Sequence, residues 1–261
     1  MDGNNDTPIL SVRDVRKYFG GIKAVDGISL DVARNRITGL IGPNGAGKTT
    51  LFNVISGLYK PDAGEVYFKG ERVDSLSLHQ TFQKGLCRTF QISRELKLMT
   101  VLENLMLVPP HQQGERLWKT WFFPRPVRKQ EGEIREKALN ALDSVGLLHL
   151  KDEYAGNLSG GQKRLLELAR TMMAEPELIL FDEPGAGVNP SERRTLADRI
   201  RQLVSEKGIT VFLIGHEMEL VMDVCDPIIV MDRGKKLCEG SPEEVSCDPQ
   251  VLEVYLGGGG S

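Results

Sequence analysis

Apolar and polar residues alternate along Ile9-Leu-Ser-Val-Arg-Asp-Val15 and along Ile28-Ser-Leu-Asp-Val32. That two-residue period predicts antiparallel strands with one face buried and one in water. The turn Pro61-Asp-Ala-Gly64 leads into a further strand, Glu65-Val-Tyr-Phe-Lys69. A second kind of strand is continuously apolar: Ile37-Thr-Gly-Leu-Ile41, Glu177–Phe181, Thr210–Ile214 and Pro227–Met231. Such runs suit a parallel sheet covered on both faces by helices. After about residue 92 the strand signals give way to helical spacing in Thr100–Met106 and in Gln130–Val145. There Ile134, Ala138, Leu139, Leu142 and Val145 share one face. The expected fold class is α/β, a mixed-sheet core with an N-terminal antiparallel β subdomain and a helical insert. Residues 1–256 form one domain in this reading, with core and β subdomain in 1–91 and 163–256 and the insert over about 92–162.

The length of 261 residues suits one large or two small domains with ample core volume. A net charge of −3 gives no basis for a nucleic-acid or anionic-membrane surface. Cys87, Cys225, Cys238 and Cys247 are scattered, without paired spacing, and read as reduced thiols rather than a disulfide frame or zinc site. Met1–Pro8 is polar and acidic, unlike a secretory signal. No run of 18 apolar residues occurs, so any membrane role is expected to come through a partner. Gly257–Ser261 reads as a flexible, linker-like tail.

Candidate chemistry begins at Gly42-Pro-Asn-Gly-Ala-Gly-Lys-Thr-Thr50, which fits the phosphate-cradling pattern G-x-x-x-x-G-K-[ST]. Gly42, Gly45 and Gly47 allow the loop, with Pro43, Asn44 and Ala46, to turn tightly against phosphate oxygens. Lys48 supplies positive charge for the β/γ-phosphates, and the Thr49 hydroxyl is placed to bind Mg²⁺. A strand precedes the loop, and a helix from Thr50 to Ser56 follows it, adding its positive dipole end. That coincidence disfavours a chance glycine-rich turn. Phe181-Asp-Glu-Pro184 ends an apolar strand, where ligands sit in open α/β sheets. Asp182 there suits the Mg²⁺ shell, and Glu183 suits the proton of an attacking water. Leu158-Ser-Gly-Gly-Gln162 precedes a helix with Leu165, Leu166, Leu168, Ala169, Met172 and Met173 at helical spacing. Ser159, Gly160, Gly161 and Gln162 form either a plain helix cap or a second anion-binding surface. Both tryptophans fall in the basic patch Leu117–Lys129. A loop folded onto the insert is favoured there over a membrane contact, given Pro109, Pro110, Pro124 and Pro126.

With these motifs in this order, the chain resembles the nucleotide-binding subunit of an ATP-binding-cassette (ABC) transporter from about Ile9 to Leu256. The family motifs fall on Gly42–Thr50 (Walker A), Gln91 (Q-loop), Leu158–Gln162 (signature), Leu178–Glu183 (Walker B), Gly187–Pro190 (D-loop) and His216 (switch). The resemblance implies a P-loop NTPase cassette with a RecA-like core and ATP and Mg²⁺ as cofactors. It implies a head-to-tail dimer that sandwiches two ATP molecules between the Walker A of one chain and the signature of the other. Ser159 and Gly161 would then touch the γ-phosphate held by the partner. Gln91 would sense Mg²⁺ and the attacking water, and His216 would hydrogen-bond the γ-phosphate. The adenine would stack on Phe19, with Tyr18 as the alternative and Val25 packed nearby. Asn189 departs from the Asp that many members carry in the D-loop, and Gly215 precedes the switch histidine.

Arg88-Thr-Phe-Gln91, the insert after Pro109, Gly185–Pro190 and Gly240-Ser-Pro-Glu-Glu-Val245 resemble the subfamily that energises uptake of branched-chain amino acids, urea and short amides. The resemblance implies two permease subunits, an extracytoplasmic substrate-binding protein, a second ATPase chain (identical or related), and a peripheral place at the cytoplasmic face of the inner membrane. The lipopolysaccharide-export ATPase has a similar cassette. An ABC-type ATPase acting on DNA or ribosomes is disfavoured, because no heptads persist between Gln91 and the signature. A cassette that does not hydrolyse ATP is disfavoured by the presence of Lys48, Gln91, Asp182, Glu183 and His216.

Overall fold

The fully apolar runs become the middle of a six-stranded sheet. A computed structural model describes residues 7–89, 95–109, 124–215 and 218–256. The chain divides into two units, one of Met1–Gln91, Pro176–Ala186 and Arg193–Ser261, the other of Ile92–Glu175 and Gly187–Glu192.

In the first unit, β1 (Leu10–Phe19) and β2 (Ile22–Val32) form an antiparallel hairpin, paired from Leu10↔Val32 to Phe19↔Ile22. β4 (Ala63–Phe68) lies on the other side of β1, and β5 (Glu71–Arg72) completes a four-stranded antiparallel sheet. Leu10, Val12, Val15, Ile28, Leu30 and Val32 point into the core. Both hairpin strands run several residues beyond the expected ones. Their added ends, Arg16–Phe19 and Ile22–Gly27, bury only Val25 and carry no buried-face alternation.

The second sheet has the order β10-β9-β3-β8-β7-β6. Its members are β3 (Ile37–Ile41), β6 (Leu86–Arg88), β7 (Leu178–Asp182), β8 (Thr210–Ile214), β9 (Ile228–Asp232) and β10 (Lys235–Gly240). All neighbours pair in parallel except β10, which is antiparallel to β9. Every residue of β3, β7 and β8 is buried, as continuous apolar runs require. α1 (Lys48–Ile55) packs on this sheet, the Phe52 ring 4.9 Å from that of Phe212. Full burial of one such side chain contributes about 2 kcal/mol. β6, with three residues, and β10, with no fully buried one, are strands that the periodicity did not announce. Short α2 (Leu78–Gln83) closes on a capping box of Ser77 and Gln80.

The second unit is helical. α3 (Val101–Met106) starts at Thr100, whose hydroxyl and Glu103 form another capping box. α4 (Pro124–Ser144) begins six residues before the expected helix and buries Ile134, Ala138, Ala141 and Leu142, with Val145 just beyond it. Leu139 is only half-buried, and Ala141 takes the inward place instead. α5 (Gly160–Met172) buries Leu165, Leu166, Leu168, Ala169 and Met172 on one stripe. The first three residues of α6 (Pro190–Lys207) also belong to this unit; the rest of α6, with α7 (Met218–Val224), α8 (Pro242–Cys247) and α9 (Pro249–Leu256), belongs to the first unit. Among the described residues no helix is long and apolar enough to cross a membrane.

Candidate nucleotide site

The phosphate loop leaves β3 at Ile41 and enters α1 at Lys48. Two glycines are fixed there by contact as well as by conformation. A Cβ on Gly42 would lie 1.9 Å from the Met231 carbonyl oxygen, and one on Gly47 would lie 2.0 Å from that of Ala24. Both have positive φ, 151° and 99°. Gly42→Ala should therefore destabilise the protein by on the order of 3 kcal/mol through overpacking and backbone strain. Urea unfolding measures this, and an unchanged midpoint would contradict the placement of the loop. Asn44, Gly45 and Thr49 are exposed, while Lys48 is buried. The Lys48 ammonium donates to the carbonyl oxygens of Gly42 at 2.7 Å and Pro43 at 2.9 Å. Burial lowers its pKa, opposed by the negative charges of Glu183 and Asp182. The Lys48 charge is thus held against the loop's own carbonyls.

β7 delivers the carboxylates. Asp182 closes the strand, wholly buried, and its Oδ2 accepts from Arg88 Nη2 at 2.8 Å. Arg88, on the edge strand β6, also donates to Asn53 Oδ1 on α1, so one guanidinium ties the phosphate-loop helix to the carboxylate. Asp182 Oδ1 is buried without a hydrogen-bond partner among the described residues. An orphaned carboxylate oxygen is costly unless a ligand meets it, and a hard divalent cation suits it. Glu183, next along, is half-buried with φ of 55°, a left-handed conformation unusual for a non-glycine residue. Its N–H donates to Ile214 O at 2.9 Å and its carbonyl accepts from Ala186 N–H at 3.1 Å, so the backbone is held in that conformation from both sides.

Arg88 and Asn53 are site residues that sequence reasoning missed, since no spacing rule links positions 53, 88 and 182. Arg88→Ala takes the hydrogen-bonded cation from a buried carboxylate and should cost about 3 kcal/mol or more. Denaturant unfolding checks this; wild-type stability would show that the pair contributes little.

Phe19 is exposed at the end of β1, its ring 5.5 Å from that of Tyr59 in an edge-on arrangement. The Tyr18 hydroxyl instead donates to Asp26 at 2.8 Å. Val25, expected beside an adenine, is a fully buried member of the core and offers a ligand no surface. A cavity of about 640 Å³ opens along the loop at Pro43–Ala46 and reaches Gln250 and Glu253 of α9, so the C-terminal helix flanks the phosphate loop. Gln91 and His216 lie outside the described residues, as does the basic patch as far as residue 123.

In the second unit, Ser159 caps α5 and Gln162 completes the capping box. Gln162 N–H donates to Ser159 Oγ at 3.2 Å, and Ser159 N–H donates to Gln162 Oε1 at 2.9 Å. Ser159 and Gly160 are exposed and Gly161 is buried. The plain cap and the anion-binding surface are therefore compatible. The capping box uses the hydroxyl oxygen as an acceptor and leaves its proton for an anionic acceptor, a place that Glu192 Oε1 takes within this chain at 2.6 Å.

Residues 25–186 match the family described as ABC transporter, and residues 235–261 match one described as branched-chain amino acid ATP-binding cassette transporter. The chain is 42% identical over 251 residues to the high-affinity branched-chain amino acid transport ATP-binding protein BraF of Pseudomonas aeruginosa, covering 96% of this chain and 98% of that one. It is also 42% identical over 253 residues to a probable branched-chain amino acid transport ATP-binding protein, LivG, of Archaeoglobus fulgidus, covering 95% of each. Among solved structures, the ADP conformation of an ATP-binding cassette of an ABC transporter superposes with a TM-score of 0.84 at 39% identity, covering 96% of this chain and 99% of that one. The chain belongs to the ABC transporter family. It is an ATP-binding cassette, an ATPase coupled to transport, with the α/β cassette fold that its motifs implied.

Proposed function

We propose that the chain is the ATPase subunit of an importer of branched-chain amino acids. What carries this reading is the agreement of the relatives, BraF and LivG, with the separate family match of the C-terminal residues 235–261. Residues 1–256 work as one cassette, paired head to tail with a second, identical or related, at the cytoplasmic face of the inner membrane. The membrane is crossed by two permease subunits, and an extracytoplasmic binding protein delivers the substrate.

Within each cassette, the loop Gly42-Pro43-Asn44-Gly45-Ala46-Gly47 wraps the β/γ-phosphates, Lys48 and Thr50 bind them, and Phe19 stacks on the adenine. Thr49, Asp182 and Gln91 would hold Mg²⁺, which would supply neutralisation of the phosphate charge. No group of three His, Cys, Asp or Glu side chains comes together among the described residues. A cation held by one carboxylate, a hydroxyl and the phosphates themselves fits that donor set. Water attacks the γ-phosphorus, the bond to the ADP oxygen breaks, and Glu183 takes the water's proton while His216 bonds the γ-phosphate. Ser159, Gly160, Gly161 and Gln162 close on the nucleotide bound by the partner chain.

Purification of the tagged chain from gently solubilised native membranes tests the assignment. Permeases and a binding protein should co-purify, and that binding protein should gain thermal stability with leucine, isoleucine or valine. Stabilisation by urea or short amides alone would overturn the substrate class, and recovery with ribosomes or DNA instead would overturn the transport reading.

A further inference from the structure

The signature serine already has an anionic partner within its own chain. Ser159 Oγ donates to Glu192 Oε1 at 2.6 Å, and Gly161 N–H donates to Glu192 Oε2 at 3.3 Å. The carboxylate thereby takes one side-chain and one backbone donor at the first turn of α5, where the helix dipole favours negative charge. The fit is tight: a Cβ on Gly161 would lie 2.6 Å from Glu192 Cδ and 2.7 Å from its Oε2. Gly161 thus has to be glycine for Glu192 to sit there.

Asn189 holds Glu192 from the opposite side. Its Nδ2 donates to Glu192 Oε2 at 2.8 Å, while its Oδ1 accepts from Glu192 N–H at 3.0 Å and from Ser191 Oγ at 2.7 Å. An aspartate at 189 keeps the acceptor role but loses the donor, and sets a second negative charge against Glu192. The departure from Asp noted in the D-loop therefore has a local reason: the amide is what fastens this carboxylate.

We propose that Glu192 occupies the anion seat of the signature when no nucleotide faces it, with Asn189 holding it in place. The inference rests on the reading of the chain as half of a head-to-tail ATP sandwich. Ser159 and Gly161 are the two residues assigned to the partner's γ-phosphate, so phosphate and carboxylate compete for the same donors. Closure requires the carboxylate to leave. ADP, which brings no γ-phosphate, does not displace it, so Glu192 sharpens the distinction between ATP and ADP at the signature.

The test uses the full chain with Glu183→Gln, in which the closed dimer accumulates, and reads dimer formation by light scattering as Mg-ATP is titrated. Glu192→Gln keeps the shape and removes the charge. It should lower the ATP concentration at half-dimerisation by about tenfold, since hydrogen bonds to an ionised acceptor are roughly twice as strong as neutral ones. Asn189→Asp should shift the midpoint in the same direction, and decides the matter alone if Glu192→Gln does not fold. A residue serving only the fold would raise the midpoint when altered. An unchanged or raised midpoint, with the Glu183→Gln parent still dimerising on ATP, overturns the role of Glu192. A parent that stays monomeric at every ATP concentration overturns the sandwich reading and this inference together.

Discussion

Glutamine in place of Glu183 should slow ATP turnover by roughly 100-fold or more while leaving ATP binding intact. The two side chains have nearly the same shape, and the backbone there is held by Ile214 and Ala186, so the strained turn after β7 should survive. What the amide cannot do is accept a proton from water. At about 1.4 kcal/mol per tenfold, the expected loss corresponds to about 3 kcal/mol or more of barrier, within the range of a general base. Phosphate release and nucleotide affinity, measured on the same preparation, separate the two effects. Near-normal turnover would mean that another group takes the proton.

Lys48→Ala should act on the other term, the affinity itself. The ammonium is buried against two loop carbonyls and faces the charges of Asp182 and Glu183. Its removal takes a donor from each of those carbonyls, Pro43 O keeping the Ala46 N–H at 3.2 Å, and leaves the phosphates without their nearest fixed cation. Hydrogen bonds to charged groups contribute about 1.5–3 kcal/mol, so nucleotide affinity should fall by roughly ten- to a hundredfold. Calorimetric titration with ATP gives the number directly, and a thermal melt confirms that the variant is folded. Unchanged affinity in a folded variant would remove Lys48 from the site.

The parts of this molecule that sequence alone disclosed are those in which a residue's type is dictated by its own neighbours along the chain. β3, β7 and β8 are buried on both faces, so each reads as an uninterrupted apolar run. The phosphate loop is legible because strand, glycines, lysine and helix adjoin one another. Strand β6 is not, because three residues carry no periodicity, and it is β6 that places Arg88 on Asp182. The Ser159–Glu192 contact spans 33 positions and depends on how α5 and the start of α6 are laid together in the second unit. Val25 was expected beside the adenine only through the family resemblance, and the sheet turns its side chain into the core. Long-range polar pairs are the least readable feature, since each partner alone looks like an ordinary surface charge.

The measurement that bears most directly on the account is ATP hydrolysis by the chain in vesicles with its co-purified permeases, with and without leucine-loaded binding protein. Turnover should rise with the loaded binding protein, accompany leucine uptake, and disappear with Glu183→Gln. Hydrolysis indifferent to the binding protein, or uptake that persists with Glu183→Gln, would contradict the account.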